Sequence, residues 1–245
     1  MVIAIIQARM GSTRLPGKVL KGVNGKPLLS YQLERVGKSK LVNKIVIATS
    51  DLQRDDAIVS FCETYGVDCF RGSEHDVLSR YYECAKESGA NTIVRLTADC
   101  PLSDPEIIDI VIQKFLDDEV SYCANTVPVE SATFPDGTDV EVFSMEALAK
   151  AFNEVKDIHL REHVTFQFWQ TDEYASSQYN GTKNLSNYRL TVDYPEDYEV
   201  VKFIFDELHK KSSFGHIEEI IEIIESNAHI KEVNAHYIFG QGWSK

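Results

Sequence analysis

Positive charge is scarce in this 245-residue chain, where 25 lysines and arginines face 38 aspartates and glutamates for a formal net charge of −13. So acidic a protein is a poor non-specific binder of nucleic acid or of an anionic membrane face. Long apolar runs are also missing, and none reaches the length of a membrane span. Cys62, Cys69, Cys84, Cys100 and Cys123 form no CxxC pair. Their odd number and wide spacing argue against a zinc knuckle or a disulfide framework and predict reduced thiols. Met1 leads into a strand-like run with no basic leader, so a cytoplasmic protein is expected. GxGxxG, an Asp-x-Asp at a strand end, and Ser-His-Asp or Cys-His arrangements are all missing. In His159-Leu-Arg161-Glu162-His163 the glutamate stands in the wrong place for a zinc-binding HExxH, and the segment reads as a capped helix start.

What is present is an alternation of short β-branched runs with longer amphipathic ones. The unbroken apolar run at 2–8 predicts a strand buried on both faces. Pro27 predicts the first position of a helix carrying Leu28, Leu29, Gln32, Leu33 and Val36 at helical spacing. Strands are expected at 44–50, 67–70 and 91–98, with helices at 55–66, 75–89 and 104–118, the last with Asp104 as N-cap and Pro105 at N1. This order predicts an α/β, three-layer fold: a mostly parallel sheet with helices on both faces, and ligands at the carboxyl ends of the strands. From about residue 120 the pattern changes, and 120–188 reads as a subdomain or interface arm within a single domain spanning 1–245. The segment 189–193 reads as a return strand, followed by a helix from Pro195 and another with Ile217, Ile220, Ile221 and Ile224 on one face.

Two strand ends are chemically loaded. In IIQARMGSTRLPGKVL, Gly11 and Ser12 allow close backbone approach to an anion, while Arg9, Arg14 and Lys18 supply cations. Lys21 and Lys26 extend this basic cluster in an otherwise acidic chain. It is not a P-loop: five residues separate Gly11 from Gly17, Val19 replaces the metal-binding hydroxyl, and Pro16 removes an amide donor. RLTADCP carries Thr97 and then Asp99 just past a buried strand, a natural magnesium ligand, although capping of a turn explains Asp99 equally well. TVDYPED repeats the design with Asp193, so two strand-end aspartates could meet at one metal. FPDGTDVEVF, with Asp136, Asp139 and Glu141, is a contact for a second substrate or a polar turn before a strand.

Taken in order, IIQARMGSTRLPGKVL, RLTADCP, FPDGTDVEVF, REHVT and RLTVDYPEDYEVV resemble the cytidylyltransferase family of spore-coat polysaccharide biosynthesis type, related to the synthetases of CMP-sialic acid and CMP-3-deoxy-manno-octulosonate. The resemblance implies a nucleotide-diphospho-sugar transferase type of fold, a homodimer built through a small arm, CTP as donor, a small anionic acceptor, release of pyrophosphate, and Mg²⁺. It assigns Arg14 and Lys18 to the triphosphate and Ala8, Arg9, Gly11, Ser12 and Thr97 to the nucleotide site. Arg71, Gly72 and Ser73, after the third strand, go near the base, with Asp99 and Asp193 on the metal. Arg161 and Arg189 are the candidate cations for the acceptor. A metal-dependent glycosyltransferase, a cytidylyltransferase acting on a non-sugar acid, and an inert nucleotide sensor are the competing readings.

Overall fold

The continuous apolar run at the start of the chain is an interior strand of a seven-stranded sheet in the computed structural model, which describes residues 1–240. This strand, β1 (Val2–Gln7), is followed by the basic loop and a hairpin of β2 (Gly22–Val23) and β3 (Lys26–Pro27), then α1 (Leu28–Val36). Next come β4 (Lys44–Ser50), α2 (Asp56–Tyr65), β5 (Asp68–Gly72), α3 (Val77–Glu87), β6 (Thr92–Thr97) and α4 (Pro105–Asp117). The middle of the chain supplies β7 (Tyr122–Ala124), β8 (Glu141–Ser144), α5 (Met145–Glu154), α6 (Ile158–His163), α7 (Phe166–Gln170) and β9 (Ser176–Gln178). Three helices close it: α8 (Pro195–Lys211), α9 (Ile217–Glu225) and α10 (Ala228–Val233).

The strand order is β5-β4-β1-β6-β8-β7-β9, and β8 alone runs against the others. Alternate residues of β1 point to opposite layers. Ala4 and Ile6 join the core under α1, α4 and α8, while Ile3 and Ile5 join the core under α3 and α5. Both faces are dry, which is why the strand reads as an unbroken apolar run. The chain builds β1, β4 and β5 to one side and then crosses to β6 on the other, with Gln7 paired to Thr97. That reversal opens a crevice at the carboxyl ends of β1 and β6, where the two loaded loops emerge.

Most expected elements are present, with five differences. Pro27 is the N-cap of α1 rather than its first residue, because its extended ψ of 149° keeps it outside the helix. Arg71 and Gly72 lie inside β5, so the third strand runs two residues longer than its apolar core suggests. Residues 120–188 supply β7, β8 and β9 to the same sheet. The largest difference is at 189–193, which forms no strand. The free edge of β6 is taken by β8, so this segment crosses beyond the strand ends with a single bridge between Asp136 and Arg189. Leu190 and Thr191 donate to the Asp136 carbonyl and Val192 donates to the Asp99 carbonyl, while the Leu190 and Val192 side chains enter the core. On α9 the fully covered positions include Ile223, not Ile221, which is only partly buried. Among the described residues no helix is long and apolar enough to cross a membrane, and all five cysteines are free thiols.

The crossing of 189–191 over 135–139 depends on Gly137. Its φ is +98°, and a Cβ there would lie 2.1 Å from the Thr191 nitrogen. Backbone cannot yield as a flexible side chain can, so Gly137→Ala should destabilise the fold by about 3 kcal/mol, a loss of roughly 6–12 °C in Tm. A thermal melt within 2 °C of wild type would show that the crossing is not held as described.

Candidate functional site

The basic loop after β1 is shaped to leave amides open. Its base is pinned where the Met10 amide donates to Asp55 (2.7 Å) and the Gly17 amide to the Met10 carbonyl (3.2 Å). Ser12 Oγ accepts from the Leu15 amide. Among the described residues the amides of Gly11, Ser12, Thr13 and Arg14 have no protein acceptor. A Cβ at Gly11 would lie 2.8 Å from the Arg54 guanidinium, which is ion-paired to Glu74 and would have to move aside. These residues line an outer cavity of about 610 Å³ that Arg9, Arg14 and Lys18 also face. Consecutive open amides with convergent cations make a cradle for a polyphosphate.

At the floor of that cavity the distant aspartates converge. Lys18 Nζ donates to Asp99 Oδ2 and to Asp193 Oδ1, 2.8 Å each, and Arg14 reaches the same Asp193 oxygen at 2.8 Å. Burial by itself would raise the Asp99 carboxyl, but the Lys18 ammonium outweighs it and holds the group below the usual carboxylate range. Burial likewise disfavours the charged ammonium, and the two aspartates more than offset this, so Lys18 stays protonated with a raised pKa.

Each partner of this junction is held from behind. Gln32 on α1, fully buried, donates to the Thr97 carbonyl (2.9 Å) and to Ser103 Oγ (3.2 Å). Arg35, one turn on, donates to the carbonyls of Ser103, Phe214 and Gly215. The turn bearing Asp99 is thus mounted on the helix that follows the phosphate loop. Asp193 is fixed by Asp197 in the first turn of α8, which accepts from the amides of Asp193 (2.9 Å) and Tyr194 (3.0 Å). Helix capping and site building are one arrangement here.

Behind the junction lies a second, inner pocket of about 190 Å³ that shares Arg14, Thr97, Asp99, His163 and Asp193 with the outer cavity. Arg95 in it pairs with Glu141, whose other oxygen accepts the Tyr122 hydroxyl at 2.5 Å. Arg189 pairs with Asp136, Asp193 and Asp197. Asp139 accepts from Thr126 Oγ1 and from the Gly137 amide, both 2.8 Å. Burial pushes both the Asp136 and the Asp139 carboxyls above their ordinary range, neighbouring carboxylates adding to it. Burial also pushes the Cys100 thiol up, which removes it as a nucleophile. The aromatic wall comes from Phe166 and Trp169 of α7. Between α6 and α7, Val164 takes φ 62° and ψ −53°, and the Thr165 amide donates back to the His163 carbonyl at 2.6 Å. A β-branched residue in such a γ-turn is strained, and the turn sets His163 on the wall of both cavities.

Of the residues singled out in the sequence, the outer cavity gathers Arg9, Gly11, Ser12, Arg14, Lys18, Thr97, Asp99 and Asp193. The inner pocket gathers Asp136, Asp139, Glu141 and Arg189. Ala8 is buried in the core and contributes the strand end, not a cavity wall. Arg71, Gly72 and Ser73 line neither cavity: Arg71 ties together the carbonyls of Ser50 and Leu52 and the Asp56 carboxylate, and Ser73 caps the turn before α3. Glu74 and His75, the next two residues, line the outer cavity instead. Arg161 also lies outside both cavities, clasping Asp76 and the carbonyls of Phe152 and Val155. Sequence reasoning passed over Arg95, Thr126, His163 and Trp169. Arg95 and His163 sat in quoted motifs, whereas nothing local marked Thr126 or Trp169.

The sequence model described as Cytidylyltransferase matches residues 3–238. The spore coat polysaccharide biosynthesis protein SpsF of Bacillus subtilis is 33% identical over 233 residues, 92% of this chain and 95% of that protein. The 3-deoxy-manno-octulosonate cytidylyltransferase of Pelobacter propionicus is 36% identical over 118 residues, 48% of this chain and 45% of that protein. A solved cytidylyltransferase from Leptospira borgpetersenii superposes with a TM-score of 0.86 at 34% identity, covering 94% of this chain and 96% of that one.

The raised carboxyl of Asp139 has a signed consequence for stability. An acid whose folded pKa lies above its unfolded value costs stability wherever it is ionised, and the cost vanishes below about pH 4 where both states are protonated. In buffer free of divalent cations, the melting temperature of Asp139→Asn relative to wild type should therefore rise between pH 4 and pH 8. The hydrogen bond that asparagine loses adds only a pH-independent offset. A difference that is flat with pH, or that falls, contradicts the assignment.

Proposed function

The chain belongs to the cytidylyltransferase family, and on that footing we propose that it moves the cytidylyl group of CTP to a small acceptor in the building of a surface glycan, with release of pyrophosphate and with Mg²⁺ held by Asp99 and Asp193. The observation that carries this is the single point where Lys18, Asp99 and Asp193 meet under a loop of open amides. The glycan context rests on the likeness to the Bacillus subtilis protein named for polysaccharide biosynthesis.

The donor set suits magnesium. Two hard carboxylate oxygens already converge within 2.8 Å of one cationic nitrogen. Among the described residues no group of three or more histidines, cysteines or acids forms a metal cage. Magnesium is commonly held this way, by one or two carboxylates, with phosphate oxygens and water completing its shell. When bound, it would neutralise phosphate charge and fix the triphosphate relative to the two aspartates.

The chain's own residues account for the rest of the reaction. Open amides of Gly11 to Arg14 hold the β- and γ-phosphates, with Arg9 and Arg14 facing them. Lys18 sits at the junction of the two cavities, where the α-phosphate would lie, and stabilises charge that grows as the bond to pyrophosphate breaks. The acceptor oxygen approaches from the inner pocket, opposite the departing pyrophosphate, which suits in-line displacement. Its proton has carboxylates within the same pocket to receive it.

Mixing protein with CTP, Mg²⁺ and candidate sugars or sugar acids should release pyrophosphate. Lys18→Ala and Asp99→Asn should each lower kcat by about 10²-fold or more in protein that circular dichroism shows still folded at the assay temperature, the lysine variant with a lowered Tm because it leaves two facing carboxylates without their counter-charge. A variant of near-full activity removes that residue from the mechanism. Consumption of a sugar nucleotide with no pyrophosphate would replace the reading with glycosyl transfer.

A further inference from the structure

The expectation of an anionic acceptor named Arg161 and Arg189 as its counter-charges, and both are committed to protein partners. Arg161 lies outside both cavities, and the Arg189 guanidinium, on the wall of the inner pocket, is ion-paired to Asp136, Asp193 and Asp197 and lies over the Tyr237 ring. With Asp99 and Asp193 reserved for the metal, the inner pocket keeps three acids: Asp136, Asp139 and Glu141. Glu141 is matched by Arg95 and Asp136 by Arg189. Among the described residues Asp139 is matched by no cation: its partners are the Thr126 hydroxyl, the Gly137 amide and, at 3.9 Å, the Cys100 thiol. On the aromatic side, the Trp169 indole N–H is buried without an acceptor.

Resting on the cytidylyltransferase reading, we infer that the part of the acceptor entering the inner pocket is a hydrogen-bond donor group, hydroxyls or a protonated amine, and not a carboxylate or phosphate. A carboxylate placed beside Asp139 would meet a charge that no described cation matches, with the guanidiniums of Arg95 and Arg189 bound to protein acids, and like charges at close range repel. A hydroxyl suits this pocket by donating to Asp139. An ammonium supplies the missing counter-charge to Asp139 and gains from the faces of Phe166 and Trp169. Any negative charge on the acceptor then stays on the outer side, with Arg9, Arg14 and Lys18.

Trp169 is a built-in reporter. The chain has two tryptophans, and Trp243 lies outside the described residues. Trp243→Phe therefore isolates the fluorescence of Trp169. This protein would be titrated, without CTP, with glucosamine, glucose and glucuronate, one ring in three charge states. Glucosamine or glucose should give a saturable change with a half-point at least tenfold below that of glucuronate. Equal half-points for glucosamine and glucose assign the recognition to hydroxyls, and a lower one for glucosamine assigns it to the amine. In the Asp139→Asn background the gap between glucosamine and glucuronate should close by about tenfold. Tightest binding by glucuronate, or no saturable response to any of the three, overturns the inference. Because no turnover is involved, these outcomes are separate from those of the pyrophosphate assay. A chain that releases no pyrophosphate can still show the sugar order, and an active one can still reverse it.

Discussion

One lysine holds the site together. Lys18 is buried, and its ammonium is tolerable there because two carboxylates from segments distant in sequence meet it at 2.8 Å. Asp99 and Asp193 would in turn repel each other without it. A triple contact of this kind suits a polyphosphate site. It holds the aspartates in register while no other cation is present, and it leaves a positive group where charge develops during transfer.

The rest of the fold is arranged to bring these three groups together. The sheet reverses its order between β1 and β6, so the loops after them open on the same crevice. Helix α1 then braces both: it follows the basic loop after one short hairpin, and Gln32 and Arg35 grip the turn after β6. Asp193 arrives on a segment excluded from the sheet, and its position depends on Asp197, on the close crossing at Gly137, and on hydrogen bonds to Asp136 and Asp99. A polar scaffold was needed because this segment has no strand neighbours to take its backbone groups.

The inner pocket departs from what stability alone would select. Among the described residues Asp139 lacks a counter-cation, carboxyl groups are pushed up by burial, and Val164 sits at positive φ. Uncompensated charge and backbone strain at one place are the mark of a binding site kept for its ligand. The outer cavity differs in offering open loop amides and the cations Arg9, Arg14 and Lys18 beside its acids.

The sequence by itself determined the layers and the loaded strand ends. Burial on both faces leaves an unbroken apolar run, and a phosphate loop must place its glycine and cations within a few residues. Both signals are local, so β1, β4, β5 and β6, the basic loop and the acid after β6 could be read directly, whereas the β2–β3 hairpin could not. The pairing of charges could not, because it depends on which groups the topology brings within a few ångströms. Arg161 and Arg189 looked alike as free cations, yet one clasps a helix cap and the other anchors a turn of carboxylates. The segment 189–193 had the composition of a strand, but β8 already held the only edge it could have joined. Composition fixed which residues could carry charge or enter the core; the tertiary structure alone decided which charges were left without a partner, and so what the pocket can accept.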